Sequence, residues 1–195
     1  MTLPIDTGYR PRPLQAEIHR RLKRFNVLVC HRRFGKTVLA VNELVDRALR
    51  QEQERPRYAY LAPFYRQAKS LAWDYLKHFT RRIPGVRAKE TELAVLLPNG
   101  ARIQLFGADN PDSLRGPYWD GAVLDEYAQM LPRTWSEVLR PALADRAGFA
   151  LFIGTPKGRD HFCRLCEQAC ADADWYAGFF PASATAILPA EELEL

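Results

Sequence analysis

No stretch of this 195-residue chain approaches the ~20 consecutive apolar residues that cross a bilayer, and none is expected to enter a membrane. Residues 1–12 hold no apolar run of signal-peptide type, so the expected setting is cytosolic. Internal repeats, low-complexity tracts and long linkers are missing, and the length fits one domain of ordinary size. Cysteine is scarce, with four in all, and a cytosolic setting argues against disulfides. Cys163, Cys166 and Cys170 follow His161 closely, which invites a zinc reading. A structural zinc site pairs two short ligand loops across a spacer. Spacings of three and four instead make one helix stripe beside Phe162 and Leu165, so these thiols are expected in the core.

What is present is enough apolar residue for a core, 47%, with 26% charged residues. The net charge of +5 is unevenly placed: residues 1–37 carry +7 and the remainder −2. A nucleotide or nucleic acid is the natural partner of such an excess. Arg20, Arg21, Lys23 and Arg24 fit either that role or a solvated helix face.

Strands and helices alternate, which points to an α/β sheet with helices on its faces. A helix is predicted over 13–24, opened by Pro13, and a buried strand over 25–30 (FNVLVC). Further helices are predicted over about 36–51, 64–82, 133–144 and 158–172. Strands are expected at 57–62, 121–124 (GAVL) and 149–153 (FALFI). Asn99-Gly100 marks a hairpin between 93–97 and 102–106. The tail after Trp175 reads as less regular. The domain is therefore drawn as 1–175, with 176–195 as the start of a C-terminal lid or linker.

Chemistry concentrates in three segments. Cys30-His31-Arg32-Arg33-Phe34-Gly35-Lys36-Thr37 follows a buried strand and opens a helix, the setting of a phosphate-binding loop. Backbone N–H groups and the positive helix end favour phosphate oxygens there. Lys36 is expected to reach the β- and γ-phosphates of ATP, and Thr37 to bind Mg²⁺. The usual first glycine is replaced by Cys30. Asp125 and Glu126 end a core strand, the edge where ligands of open α/β sheets sit. Asp125 is suited to Mg²⁺ and Glu126 to orienting the attacking water. Gly154-Thr155-Pro156 ends the next core strand, where Thr155 is placed to sense a γ-phosphate.

Taken in order, these segments resemble the ATPase domain of large terminase subunits, which pump DNA into viral procapsids. The likeness runs through Pro13-Leu14-Gln15, HRRFGKT, LAPFYRQA (61–68), LPNG, Asp112-Ser113-Leu114-Arg115-Gly116, VLDE and IGTPKG. It implies a three-layer P-loop fold of the additional-strand (ASCE) type, with a mainly parallel central sheet. Gln15 then reads the adenine edge, with nucleotide held by His31, Arg32, Arg33, Phe34, Gly35, Lys36 and Thr37. The missing first glycine is typical of the family. Arg32 is placed to face the γ-phosphate from within the subunit, and Arg33 is the second candidate. Arg115 is implied as a finger donated in trans to a neighbour's ATP; a loop arginine bracing Asp112 or Asp120 is the alternative. Thr155 would couple hydrolysis to movement. The implied partners are double-stranded DNA, a small terminase subunit and further copies in a ring on a portal, in the host cytoplasm. With no room for a nuclease domain after Gly158, the chain is expected to hydrolyse ATP without cutting DNA. A helicase and a nucleotide-binding scaffold without turnover remain alternatives.

Overall fold

The predicted alternation resolves into one eight-stranded sheet between two helical layers, in a computed structural model that describes residues 6–155 and 157–185. The strands are β1 (Phe25–Cys30), β2 (Arg57–Ala62), β3 (Arg87–Lys89), β4 (Ala94–Leu96), β5 (Arg102–Gly107), β6 (Gly121–Asp125), β7 (Phe149–Gly154) and β8 (Trp175–Phe180). Their spatial order is β3-β4-β5-β2-β6-β7-β1-β8. From β5 to β8 every pairing is parallel, and β3 and β4 add an antiparallel margin. β7 lies between β1 and β6, with Phe152 level with Val27 on one side and Leu124 on the other. This inserted strand makes the fold the additional-strand P-loop type.

Helices α1 (Pro13–Arg21), α2 (Lys36–Arg50), α3 (Tyr65–Ala68) and α4 (Asp74–Thr80) bury one face of the sheet. A π-helical turn, Lys69–Trp73, joins α3 to α4. The other face is covered by α5 (Arg140–Ala144), the π turn Thr134–Leu139 before it and α6 (His161–Ala171). Every residue of β6 and β7 is buried, as expected of parallel strands covered on both sides. Phe152 packs between Tyr127, Trp135 and Trp175. Removing a buried ring of this kind costs about 3–5 kcal/mol.

Three expectations change. The first helix stops at Arg21 rather than Arg24. Asn26, buried on β1, accepts from the Lys23 amide (2.7 Å) and donates to the Lys23 carbonyl (2.8 Å), which holds the chain in a turn. The chain beyond Trp175 is regular: Trp175–Phe180 pairs with all six residues of β1, so the sheet runs past the boundary drawn at 175. A short helix α7 (Ala182–Thr185) follows, and 186–195 lie outside the described residues, as does Pro156. The cysteine stripe is not uniformly core: Cys166 is buried, Cys163 half-buried and Cys170 exposed.

Candidate active site

Because β1, β7 and β6 are parallel neighbours, their C-terminal ends bring the three predicted segments to one edge. The loop 31–35 turns the chain from β1 into α2. Arg33 (φ +65°) and Gly35 (φ +84°) take the left-handed conformation. The left-handed backbone favours glycine at 35, and a Cβ there would lie 2.7 Å from Arg12 Nη2 and 3.0 Å from Gln15 Nε2 and push these side-chain ends aside. The close neighbours come from α1. Gln15 is buried, accepts from the Arg12 amide (3.0 Å) and donates to the Gly35 carbonyl (3.3 Å). Arg12 donates to the Phe34 carbonyl and stands 5.9 Å over the Phe34 ring. Phe34 is itself buried and stacks on Phe180 of β8 at 5.2 Å. Arg12 was counted on the sequence only for its charge; its place on the loop was not foreseen.

Cys30, in the position of the usual glycine, keeps strand geometry. Burial pushes its thiol up to about 12, leaving it a neutral core group. Its carbonyl accepts from Thr155 Oγ1 at 3.2 Å, which ties the end of β7 to the root of the loop.

Lys36 forms an ion pair with Glu126, and Thr37 Oγ1 donates to Asp125 Oδ2 at 3.5 Å. Glu126 is left-handed (φ +55°), a strained state for a residue with a side chain. Gly154 lies behind it, where a Cβ would come within 3.3 Å of the Glu126 Cα. Asp125 also accepts from the hydroxyl of Tyr60 on β2. Burial holds the Tyr60 phenol well above its ordinary value, so it remains a donor. Burial likewise raises Asp125 to about 6, against the Tyr60 hydrogen bond and the Lys36 charge. Asp125 Oδ1 is buried and, among the described residues, has no hydrogen-bond partner. Tyr60 is a site residue that the sequence did not reveal.

Other predicted residues fall around this centre. Arg32 and Arg33 are exposed and make no hydrogen bond or ion pair among the described residues. The His31 amide donates to the Phe180 carbonyl (3.2 Å), and His31 Nε2 is 2.8 Å from Thr185 Oγ1, so β8 and α7 touch the loop. Arg115 is apart from the cluster. It is exposed and its Nε donates to Asp112 Oδ1 at 2.7 Å, with Arg133 3.6 Å from the same carboxylate.

The site can hold a polyanion against loop amides, with one amine and one carboxylate at the reacting end. Among the described residues no three His, Cys, Asp or Glu side chains converge as a metal cage. A carboxylate beside a threonine hydroxyl suits a Mg²⁺ ion that keeps waters and phosphate oxygens as its other ligands.

Comparison with known proteins agrees. The family described as terminase large subunit, T4-like-virus type, N-terminal, matches residues 29–185. A terminase large subunit of Thermus virus P23-45 is 30% identical, over 80% of this chain and 36% of the relative. One from Thermus phage G20c matches to the same extent. This chain thus spans about a third of the length of these relatives. Among solved structures, the Thermus phage P74-26 large terminase ATPase domain superposes with a TM-score of 0.77 at 25% identity, covering 89% of this chain and 82% of that one. The large terminase of bacteriophage D6E, solved with ADP, shares the fold (TM-score 0.75, 15% identity, 93% and 48% covered).

Proposed function

The chain belongs to the large terminase family, matching the N-terminal part of its T4-like-virus type, and from that premise we propose that it is a Mg²⁺-dependent ATPase driving double-stranded DNA into a viral procapsid. The observation that carries the chemistry is the meeting of Lys36 and Thr37 with Asp125 and Glu126 at one sheet edge. The large terminase of bacteriophage D6E, solved with ADP and with ATP-gamma-S, supports the same reading.

Loop amides of 31–37 and the N-terminus of α2 receive the phosphates. Lys36 leaves Glu126 for the β- and γ-phosphate oxygens as the triphosphate enters. This frees the Glu126 carboxylate to hold and polarise a water for in-line attack. Asp125 and Thr37 would hold Mg²⁺, which neutralises charge on the phosphates. Arg32 meets the γ-phosphate from the exposed side of the loop. Gln15, braced against Gly35, is assigned the reading of the adenine edge. Thr155 links β7 to the loop root and is assigned the coupling role. Arg115 acts in trans in a ring of copies on a portal, with a small subunit as a further partner, in the host cytoplasm. The segment after 175 contributes a sheet strand first and then leads into a lid or linker.

Two variants test the reading by phosphate release and ATP binding. Glu126→Gln is expected to slow turnover by about 10²–10⁴-fold while binding ATP at least as well as the wild type, since Lys36 no longer has to leave a carboxylate. Lys36→Ala is expected to lose turnover and to weaken ATP binding. Turnover of Glu126→Gln within a few-fold of wild type would refute the role given to that residue.

A further inference from the structure

A second charged site lies on the opposite edge of the sheet, where the parallel strands begin. A cavity of about 410 Å³ is lined there by Arg24, Arg47, Arg50 and Arg146, with Asp120 as the one carboxylate in its wall. A strand of six residues separates it from the nucleotide edge by roughly 17–20 Å. The four arginines come from three places in the chain: the turn before β1, the last turn of α2, and the loop before β7.

Three of these guanidinium groups are stacked on aromatic rings. Arg24 is 4.9 Å over Phe25, Arg47 is 4.1 Å over Phe149, and Arg146 is 3.7 Å over Tyr118. Each arginine is also fixed through one nitrogen. Arg24 Nε donates to the Gly148 carbonyl (3.2 Å), Arg47 Nε to Glu43 and Arg50 Nε to Asp46. Arg146 uses Nη1 on Gln53 and the Glu54 carbonyl (both 3.1 Å). Among the described residues, the Nη groups of Arg24, Arg47 and Arg50 make no hydrogen bond. Asp120 accepts from the Arg57 amide (2.7 Å) and lies 3.6 Å from Arg146, while Glu43 and Asp46 pair with Arg47 and Arg50 through Nε alone; among the described residues Arg24 has no carboxylate partner. A stacked guanidinium with free Nη donors is an oriented fork that matches two phosphate oxygens. Arg24 and Arg47 are both stacked and free at Nη, Arg50 adds free Nη donors and Arg146 a stacked cation, and together around one cavity they make a receptor for phosphate.

We propose that this arginine-lined cavity binds phosphates of a nucleic-acid backbone, separately from the nucleotide site. It rests on the packaging reading only in taking duplex DNA as the source of those phosphates. The test measures duplex DNA binding across a salt series for the wild-type chain, for Arg24→Gln/Arg50→Gln, and for Lys69→Gln/Arg164→Gln as a charge-matched control elsewhere on the surface. The cavity variant is expected to bind at least tenfold more weakly, with a log–log salt slope shallower by about 1–2, while the control stays within threefold. Equal losses in both variants, unchanged affinity in the cavity variant, or no DNA binding by the wild type would overturn the proposal. So would inorganic phosphate raising the Tm of the wild type alone while DNA affinity is the same in both, since the site would then serve free anions. ATP turnover without DNA is followed in parallel. Its absence in the wild type sinks the motor reading and leaves the DNA comparison intact.

Discussion

At the C-terminal edge of the sheet Lys36 faces Glu126, and Asp125 is held by Tyr60 and Thr37. At the N-terminal edge four guanidinium groups line one cavity with one carboxylate. At the first edge the Lys36 amine is already engaged by Glu126, so a ligand has to displace an existing ion pair. A metal-bound triphosphate can do so because it offers Lys36 new oxygens and Asp125 a cation. The second edge pairs three of its arginines with carboxylates, yet the Nη donors of Arg24, Arg47 and Arg50 make no hydrogen bond among the described residues, and any phosphodiester suits them. Selectivity for one ligand and tolerance of many thus follow from how far the donors at the centre of each edge are already engaged.

Two buried carboxylates make this contrast measurable through pH. At the nucleotide edge burial raises Asp125 from 3.8 to about 6, a penalty on the order of 3 kcal/mol for the ionised, metal-free protein. The folded chain then holds this proton more tightly than the unfolded one. Stability therefore falls as pH rises from about 4 to about 6, and the penalty persists above that. Glu43, which anchors Arg47 beside the other cavity, behaves in the opposite sense. Burial pushes it up, but His19 at 2.6 Å and Arg47 outweigh burial and hold it below its ordinary value. Its contribution is present above the ordinary carboxylate range and is lost as pH falls through the lowered value. In chelator at pH 7.5, Asp125→Asn is expected to raise Tm by about 5 °C, a gain that vanishes near pH ~4. Glu43→Gln is expected to lower Tm at pH 7.5, with the loss shrinking in acid. Shifts of the same sign in both variants would erase the distinction between the edges.

Tyr60 supplies a smaller effect at the nucleotide edge. It donates to Oδ2 of Asp125, the oxygen that Thr37 also reaches, and so holds the orientation of the carboxylate. Tyr60→Phe removes only the hydroxyl and keeps the buried ring. The expected result is about tenfold weaker Mn²⁺ binding in the presence of an ATP analogue, the worth of roughly one charge-assisted hydrogen bond. Nucleotide binding in chelator should not change. A matched fall in both affinities would make Tyr60 a packing residue and nothing more.

Much of the nucleotide edge was legible because its parts are contiguous. A buried strand followed by His31–Thr37, and another ending in Asp125-Glu126, state their own position at strand ends. The inserted strand β7 could be expected only through the family resemblance, since periodicity does not give strand order. β8 escaped notice for a local reason. Trp175–Phe180 carries Gly178 in its middle and no β-branched residue, and Gly178 is there because a Cβ would press on Phe180 and Leu28 (2.7 and 3.1 Å). Tyr60 was hidden in a strand that is buried from Tyr58 onward, its role set by a carboxylate 65 residues away. The same holds for the arginine cavity. Residues 24, 47, 50 and 146 have no common motif, and only the crossing of helix ends with strand beginnings assembles them.

The smallest effect is expected from Arg115, which belongs to neither edge. Its head is spent on Asp112, three residues back, and both side chains are about half exposed. It makes no hydrogen bond or ion pair with Lys36, Asp125 or Glu126 among the described residues. In dilute, monomeric chain Arg115→Ala should therefore change turnover by less than about twofold, since a surface pair of this kind contributes little. If the side chain acts in trans, the wild type gains specific activity as concentration rises and the variant does not, because each copy then lacks the cation that a neighbour would bring to its γ-phosphate. Turnover measured against protein concentration, with assembly followed by light scattering, separates the cases. A large loss in the dilute monomer would place Arg115 on its own nucleotide. Parallel curves for both proteins, in samples shown to assemble, would leave it as the surface brace that its contact with Asp112 already describes.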